Sequence, residues 1–389
     1  MRYLVMPAIV ALFTASTTPA LAQVQIDNLQ DSFSLVESLK SGAAPLSQFT
    51  PRPSSNRRID FQAWDGLLKD MVFYGGPSLR KFSNKPDPVT GTRFVYGHTS
   101  PYRMEGNRVV FDTMDDTYIG FIKQYIDDLV DIGNRVDIAA LQKDQQLSYW
   151  LNLHNAVVIH AIASEYPVYS PSKIKGEDGS DFQDTKRVTI SEADLSLRDI
   201  REGIVFENWS DPLVIYGFFH GTIGSPSIQR TAYTADTIRQ TLRFSALEYA
   251  NSLRGFHVRQ SRAYVSRHYQ EAAPYFFPNF ETDLRAHLTT LLDPPVAEEL
   301  SQSRGDFKII RYSDDIADLS KGDPYRQPSS PVLSVGREGV SGFAGTTLER
   351  ALREHNEKFR EIRRRGLFGT VTIEDIETVP DRSDGNTVE

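Results

Sequence analysis

The sequence predicts an α+β fold that is rich in helices, with one buried helix beside a small central β-sheet. Residues 148–166 are apolar around nearly the whole helical wheel, which indicates a helix without a solvent-exposed face. Three short runs, at residues 187–190, 213–219 and 307–312, are predicted to form the sheet. The run at 213–219 is continuous, β-branched and aromatic, so we expect it to be a central strand.

Further helices are predicted from the spacing of apolar residues. A helix that begins near Phe61 has apolar side chains at i, i+3, i+4, i+7 and i+8 and ends before Gly75-Gly76. Three others are expected at residues 118–129, 234–253 and 283–292. Together with the sheet, these elements predict a single main domain.

The composition is that of a globular protein and excludes several kinds of chemistry. The chain has 389 residues, a net charge of −8 and no cysteine. It therefore has no disulfide, catalytic thiol, iron–sulfur cluster or cysteine-type zinc site. The negative charge disfavours nucleic acid as a partner. Phosphate-loop, dinucleotide-binding, zinc-protease and EF-hand motifs are missing and the 8 histidines show no ligand spacing, so neither a metal nor a cofactor is expected.

The first 22 residues are predicted to be a signal peptide. An apolar run, Leu4–Phe13, is followed by the small-residue motif Ala20-Leu21-Ala22, and cleavage is expected after Ala22. The run is short for a membrane span, and an uncleaved membrane-tethering helix is the alternative. We therefore expect a periplasmic or secreted protein whose mature chain does not span the membrane.

The mature chain is predicted to have five segments. Residues 23–58 are polar and proline-containing and form an N-terminal arm, and residues 59–321 form the main domain. Residues 322–345, rich in Pro, Ser and Gly, form a linker. An amphipathic helix at 346–366 and a tail at 367–389 complete the chain.

The C-terminal helix has an apolar seam that needs a cover, supplied either by the domain itself or by a partner helix. Its spacing of four and three residues resembles that of a coiled coil. The seam consists of Leu348, Leu352, His355, Phe359 and Ile362. The basic end, Arg363–Arg365, fits either an anionic partner or a solvated helix C-terminus.

The central block resembles a known family. Residues 148–156, SYWLNLHNA, with His160 and Tyr166-Pro167 after them, are similar to the W-[IL]-N-x-Y-N-A…H…Y-P signature of the domain of unknown function 547 family. Similar segments follow in the family's order at residues 196–204, 211–213 and 310–321. The resemblance covers residues 60–320 and implies a fold neighbourhood, but no established reaction.

One departure from the family's pattern affects the candidate site. Family members continue with a segment like F-A-L-N-C-G-x-x-S-C-P-P-L, whereas residues 216–228 here are YGFFHGTIGSPSI. His220 stands at the first cysteine, Ser225 at the second, and Phe219 replaces the asparagine. If the family's cysteines are nucleophiles or metal ligands, this chain has exchanged a thiol for a hydroxyl or has lost the activity.

Asn152 and Asn155, three residues apart on the predicted buried helix, are candidate substrate-binding residues. Buried amides need hydrogen-bond partners whatever the function, so the alternative is that they tie a neighbouring loop to the helix. His160 shares a broad face with Asn152 and is either a proton acceptor or a hydrogen-bonded core histidine.

His220 and Ser225 form the sharper catalytic candidate. In this hypothesis Ser225 attacks, His220 or His160 accepts its proton, and Asn152 or nearby backbone N–H groups stabilise an oxyanion. The alternative is an ordinary turn, because Gly-rich segments with Ser before Pro commonly form turns and the spacing does not match G-x-S-x-G.

These observations leave three functions open. The leading hypothesis is an exported binding or scaffold protein with a degenerate family cleft, whose partner is a small molecule, a peptide or a cell-envelope component. The alternative is a hydrolase or acyl transferase that uses Ser225 with His220 or His160. A third is an interaction protein that acts through the C-terminal helix.

Overall fold

The structure, a computed structural model, describes residues 44–86, 88, 95, 97–310, 313–322 and 347–367. The chain divides into two units, Met1–Thr50 and Pro51–Glu389, and the described part of the first contains a 3-10 helix at Ala44–Phe49. The predicted signal peptide lies outside the described residues, as do most of the predicted linker and of the tail. Within the described ranges, no helix is long and apolar enough to cross a membrane.

The second unit contains eight described α-helices. They are α1 Gln62–Met71, α2 Asp116–Arg135, α3 Lys143–Ser164, α4 Ile238–Ala250, α5 Arg267–Phe276, α6 Phe280–Thr289, α7 Pro294–Gln302 and α8 Thr347–Arg364. A π-helix at Asp199–Phe206 and a 3-10 helix at Pro212–Gly217 lie between α3 and α4. The prediction of a helix-rich α+β fold is confirmed.

Helix α3 is the centre of the second unit. Its residues are buried on all sides, as the lack of a polar face predicts. The hydroxyl of Tyr149 donates to the carbonyl of Leu129 at 2.9 Å and fixes α3 against α2. The helix ends at Ser164, shortly before Pro167, because a residue that precedes proline disfavours helical geometry.

The described strands form three small sheets rather than the single sheet expected. They are β1 Val72–Phe73 with β2 Arg108–Val109, β3 Lys186–Ile190 with β4 Ala193–Ser196, and β5 Phe256–Arg259 with β6 Arg262–Val265 and β7 Lys308–Ile309. All pairs are antiparallel except β6 with β7, which are parallel. Strands β3 and β7 coincide with two of the three predicted runs.

The predicted central strand at 213–219 is wrong. Residues Pro212–Gly217 form a 3-10 helix, which begins with Pro212 at its first position and with the Asp211 carboxylate accepting from the backbone N–H of Leu213. A short, continuous apolar run is equally compatible with a buried helical segment, and here the proline and the capping aspartate decide the outcome.

Helix α8 packs against the domain of its own chain. The guanidinium of Arg103 donates two hydrogen bonds to Glu354 at 2.9 and 2.8 Å. The buried Lys358 ammonium donates to the carbonyls of Gly75 and Met104 at 2.8 and 2.6 Å. Ile362 is fully buried. The domain itself therefore covers this part of the apolar seam.

Candidate functional site

Asn152 and Asn155 on α3 each fasten another chain segment to the buried helix. The Asn152 amide donates to the carbonyl of Tyr233 at 2.7 Å and accepts from its N–H at 3.0 Å. The Asn155 amide donates to the carbonyl of Gly217 at 2.9 Å and accepts from the N–H of Phe219 at 3.0 Å. Both side chains are 1% exposed, so they hold the polypeptide on either side of the candidate turn.

Ser225 is a buried residue of the turn that follows Phe219. Its hydroxyl oxygen lies 2.9 Å from the carbonyl oxygen of Thr222 and 3.2 Å from that of Pro226, and it accepts from the backbone N–H of His220 at 3.3 Å. Its own carbonyl accepts from Arg254 at 3.0 Å. The hydrogen-bond partners described for this hydroxyl are thus backbone groups, and the imidazole of His220 is not one of them.

The same turn requires a glycine at position 221. Gly221 has φ 79°, and a Cβ there would lie 2.3 Å from the Cδ1 atom of Ile162 on α3. The carbonyl of Gly221 also accepts from the N–H of Ala317 at 2.9 Å. The turn is therefore pressed against the buried helix and pinned by a later segment of the chain.

His160 occupies a different environment from His220. Burial, then the nearby charge of Lys123, lowers the pKa of its half-buried imidazole, and Asp127 and Arg187 also act on that pKa. The charged and titratable groups that act on the pKa of His220 are Arg201, His268, His154 and Arg198. His220 is thus grouped with His154 and His268, whereas Ser225 contacts the backbone N–H of His220 and the pKa of His160 is influenced by a different set of charges.

Three buried imidazoles form what we call the histidine cluster: His154, His220 and His268. The ring centroids of His154 and His220 are 6.4 Å apart, and those of His220 and His268 are 5.0 Å apart. Burial lowers the pKa of His154 to about 3 and that of His268 to about 4, and it holds the pKa of His220 well below its usual range. All three imidazoles are therefore neutral at pH 7.

Each imidazole of the cluster has one ring nitrogen without a hydrogen-bond partner among the described residues. These atoms are Nε2 of His154, Nε2 of His220 and Nδ1 of His268. The other nitrogen of His154 lies 3.1 Å from the side-chain oxygen of Asn155, and Nε2 of His268 lies 2.9 Å from the carbonyl oxygen of Ile215. Buried unpaired nitrogens are uncommon, since each forfeits the hydrogen bonds it made in water.

Two members of the cluster, together with Glu271, have the geometry of a metal-binding group. One ligand atom from each of His220, His268 and Glu271 lies within 4.8 Å of the other two. His268 and Glu271 are three residues apart on α5 and share one face of that helix. The pair His268 and Glu271 is visible in the sequence. The third residue of the group, His220, lies 48 positions before His268, and only the fold brings it near the pair.

A surface pocket of about 490 Å³ lies where α8 meets α1, β1 and the residue that follows β2, Val110. Its walls include the rings of Phe73, Tyr74 and Phe359, and two cationic residues, Lys69 and Arg230, also line it. The complete lining is Lys69, Asp70, Val72, Phe73, Tyr74, Val110, Arg230, Leu352, His355, Asn356 and Phe359. No sequence pattern predicts this pocket, because its lining residues come from positions 69–74, 110 and 230 of the main domain and from positions 352–359 of α8.

Residues 138–250 match a family described as "Protein of unknown function, DUF547". The matched segment contains α3, the turn with His220 and Ser225, and α4. Comparison with curated proteins and with solved structures found no match.

Proposed function

We propose that this chain, whose residues 138–250 match the DUF547 family of unknown function, is an exported, non-catalytic binding protein for a small anionic molecule with an apolar or aromatic body. The observation that carries the proposal is the pocket of about 490 Å³ beneath α8. Its volume lies within the range of about 300–1,000 Å³ that is usual for small-molecule sites.

The chemistry of the pocket favours a ligand that has an apolar or aromatic body and an anionic group. Phe73 and Phe359 are partly buried, and Tyr74 is 44% exposed, so the aromatic wall is open to solvent. Arg230 is exposed at the rim and donates to the backbone carbonyl of Lys69 at 2.9 Å. Aromatic faces accept an apolar body, and a guanidinium is suited to a carboxylate, sulfonate or phosphate.

Export is supported by the N-terminal sequence alone. The apolar run Leu4–Phe13 and the motif Ala20-Leu21-Ala22 have the order of a signal peptide, and cleavage after Ala22 gives a periplasmic or secreted chain. In that location the ligand is a small molecule of the cell envelope or its surroundings, rather than a cytoplasmic metabolite.

The binding proposal is tested with 8-anilinonaphthalene-1-sulfonate, an aromatic sulfonate whose fluorescence rises in apolar sites. We expect saturable binding that weakens about fivefold or more in Tyr74→Ala and in Arg230→Glu. The first substitution removes an aromatic ring that contacts the apolar body of the dye, and the second removes the cation that pairs with its sulfonate. The measurement is a fluorescence titration of the mature chain.

Two matched variants control for nonspecific dye binding. Phe244→Ala removes another exposed ring, and Arg239→Glu reverses another exposed charge, both on α4 and away from the pocket lining. Equal dye affinity in Tyr74→Ala, Arg230→Glu and the unaltered chain would contradict the proposed site.

The alternative, a hydrolase or acyl transferase that uses Ser225, has no supporting side-chain contact among the described residues. A serine hydroxyl needs an adjacent base to become a nucleophile. The Ser225 hydroxyl is fully buried and is bonded to backbone carbonyls. We therefore expect no adduct when the chain is treated with a fluorophosphonate and its intact mass is measured. A stoichiometric adduct that Ser225→Ala abolishes would instead favour the enzyme and contradict a purely binding role.

A further inference from the structure

We propose that His220, His268 and Glu271 bind a divalent transition-metal ion of the Zn²⁺ type. The inference is independent of the pocket beneath α8, because none of these three residues lines that pocket. Their ligand atoms converge to within 4.8 Å of one another. Two imidazoles and one carboxylate are a donor set that Zn²⁺ takes with its fourth position open.

The orientation of His268 is the first argument for the site. A carbonyl oxygen accepts hydrogen bonds and does not donate them, so the contact of 2.9 Å with Ile215 places the ring proton on Nε2. Nδ1 is then left with its lone pair, buried and without a described partner. Metal-binding histidines are commonly fixed in this way, since a backbone carbonyl holds the tautomer and turns the free nitrogen toward the ion.

The second argument comes from His220. Its Nε2 atom is buried without a described hydrogen-bond partner, and its ring meets that of His268 edge to face with centroids 5.0 Å apart. The backbone on either side is held by Asn155 and by the turn at Gly221, so the imidazole is presented from a rigid support. Two buried nitrogens without described partners lose hydrogen-bond energy, which a shared metal ion would restore.

The surrounding charges are compatible with a bound cation. Arg201 pairs with Glu202 at 2.5 Å and Arg198 pairs with Asp184 at 2.6 Å, so both nearby guanidinium groups have acidic partners. Glu271 lies 3.1 Å from Arg267, whose side chain is 58% exposed and free to move into solvent when a metal takes the carboxylate.

The geometry requires only a local adjustment. Zinc bonds to nitrogen and oxygen of about 2.0–2.2 Å place tetrahedral ligand atoms about 3.3–3.6 Å apart. The spread of up to 4.8 Å must therefore contract. Glu271 has the freedom for such an adjustment, because its side chain is long and 36% exposed, whereas the two imidazoles are buried.

The site is tested by titrating the metal-free, full mature chain with Zn²⁺ in a calorimeter and with Co²⁺ in a visible spectrometer. We expect one Zn²⁺ per chain, the visible bands of a tetrahedral Co²⁺ complex, and no competition from Mg²⁺, which prefers an octahedral shell of oxygen ligands. Zn²⁺ should also raise the melting temperature, since an ion that binds only the native state stabilises it.

Glu271→Gln is the decisive variant because it keeps the size of a partly exposed side chain and removes the charged ligand. We expect Zn²⁺ affinity to fall about tenfold or more and the Co²⁺ bands to be lost, with the circular dichroism spectrum unchanged. Glu298→Gln on α7, an exposed acid outside the group, is the matched control and should bind like the unaltered chain. Absence of saturable Zn²⁺ binding, or equal affinity in the two variants, would overturn the proposal.

Discussion

Replacement of Asn155 by leucine is expected to lower the free energy of unfolding by about 3 kcal/mol or more. Leucine has a similar size, but it leaves the N–H of Phe219 and the carbonyl of Gly217 without their partners. It also removes the oxygen next to Nδ1 of His154. Each buried group left unsatisfied costs about 1–3 kcal/mol. Urea denaturation followed by fluorescence measures the loss.

The matched control is Gln124→Leu on α2. The Gln124 amide donates to Asp128 at 2.9 Å in an exposed pair four residues apart, and such pairs contribute only about 0.2–0.5 kcal/mol. A loss below about 1 kcal/mol in Asn155→Leu would contradict the structural role. In that case the amide would return as a substrate-contacting candidate, which is the other interpretation that the sequence permits.

The buried helix and its two asparagines are the part of the site that the sequence predicts best. A helix with apolar residues all around has no solvent-exposed face, so the pattern at 148–166 predicts a buried helix, and the structure buries it as far as Ala163. Amides at positions 152 and 155 then needed partners inside the protein, and the tie between helix and loop follows from that requirement. Neither inference depends on knowing where the loops run.

Features that depend on distant contacts were beyond the sequence. The position of His220 after an apolar run marks it as a candidate in the sequence, but its proximity to His268 and Glu271 arises only when α5 packs against the turn. The pocket likewise needs α8 to dock beside β1, which places Phe359 near Tyr74, with ring centroids 6.3 Å apart. No local pattern of spacing encodes either contact.

Acidification from pH 7 to pH 5 is expected to lower the free energy of unfolding by about 2–6 kcal/mol. Burial lowers the pKa of His154 to about 3 and the pKa values of His287 and His355 to about 4. The unfolded chain has ordinary histidines with a pKa of about 6.5, so it takes up protons first. Stability is therefore complete above about pH 6.5 and is lost as the pH falls toward the folded pKa values, at up to about 1.4 kcal/mol per pH unit for each histidine.

The titration of His98 has the opposite effect on stability, because it favours the folded state at low pH. Burial lowers its pKa, but hydrogen bonds with Asp315 and Asp318 outweigh that effect and raise it, so His98 contributes stability below its unfolded pKa. The buried histidines with lowered pKa values outnumber His98. We therefore expect the free energy of unfolding to decrease overall as the pH falls. Urea denaturation midpoints at pH 7, 6 and 5, measured with a chelator present so that no metal contributes, give the profile.

His287→Gln isolates one histidine of this set. The ring nitrogen Nε2 of His287 lies 2.9 Å from the hydroxyl of Tyr216, and glutamine offers an amide to the same hydroxyl but does not titrate. We expect the slope of stability against pH between about 6.5 and 4 to decrease by up to about 1.4 kcal/mol per pH unit. His160→Gln, at a half-buried position, should change the slope less. A stability that stays level or rises on acidification would contradict the burial of neutral imidazoles, because protons taken up by the unfolded chain alone must destabilise the fold.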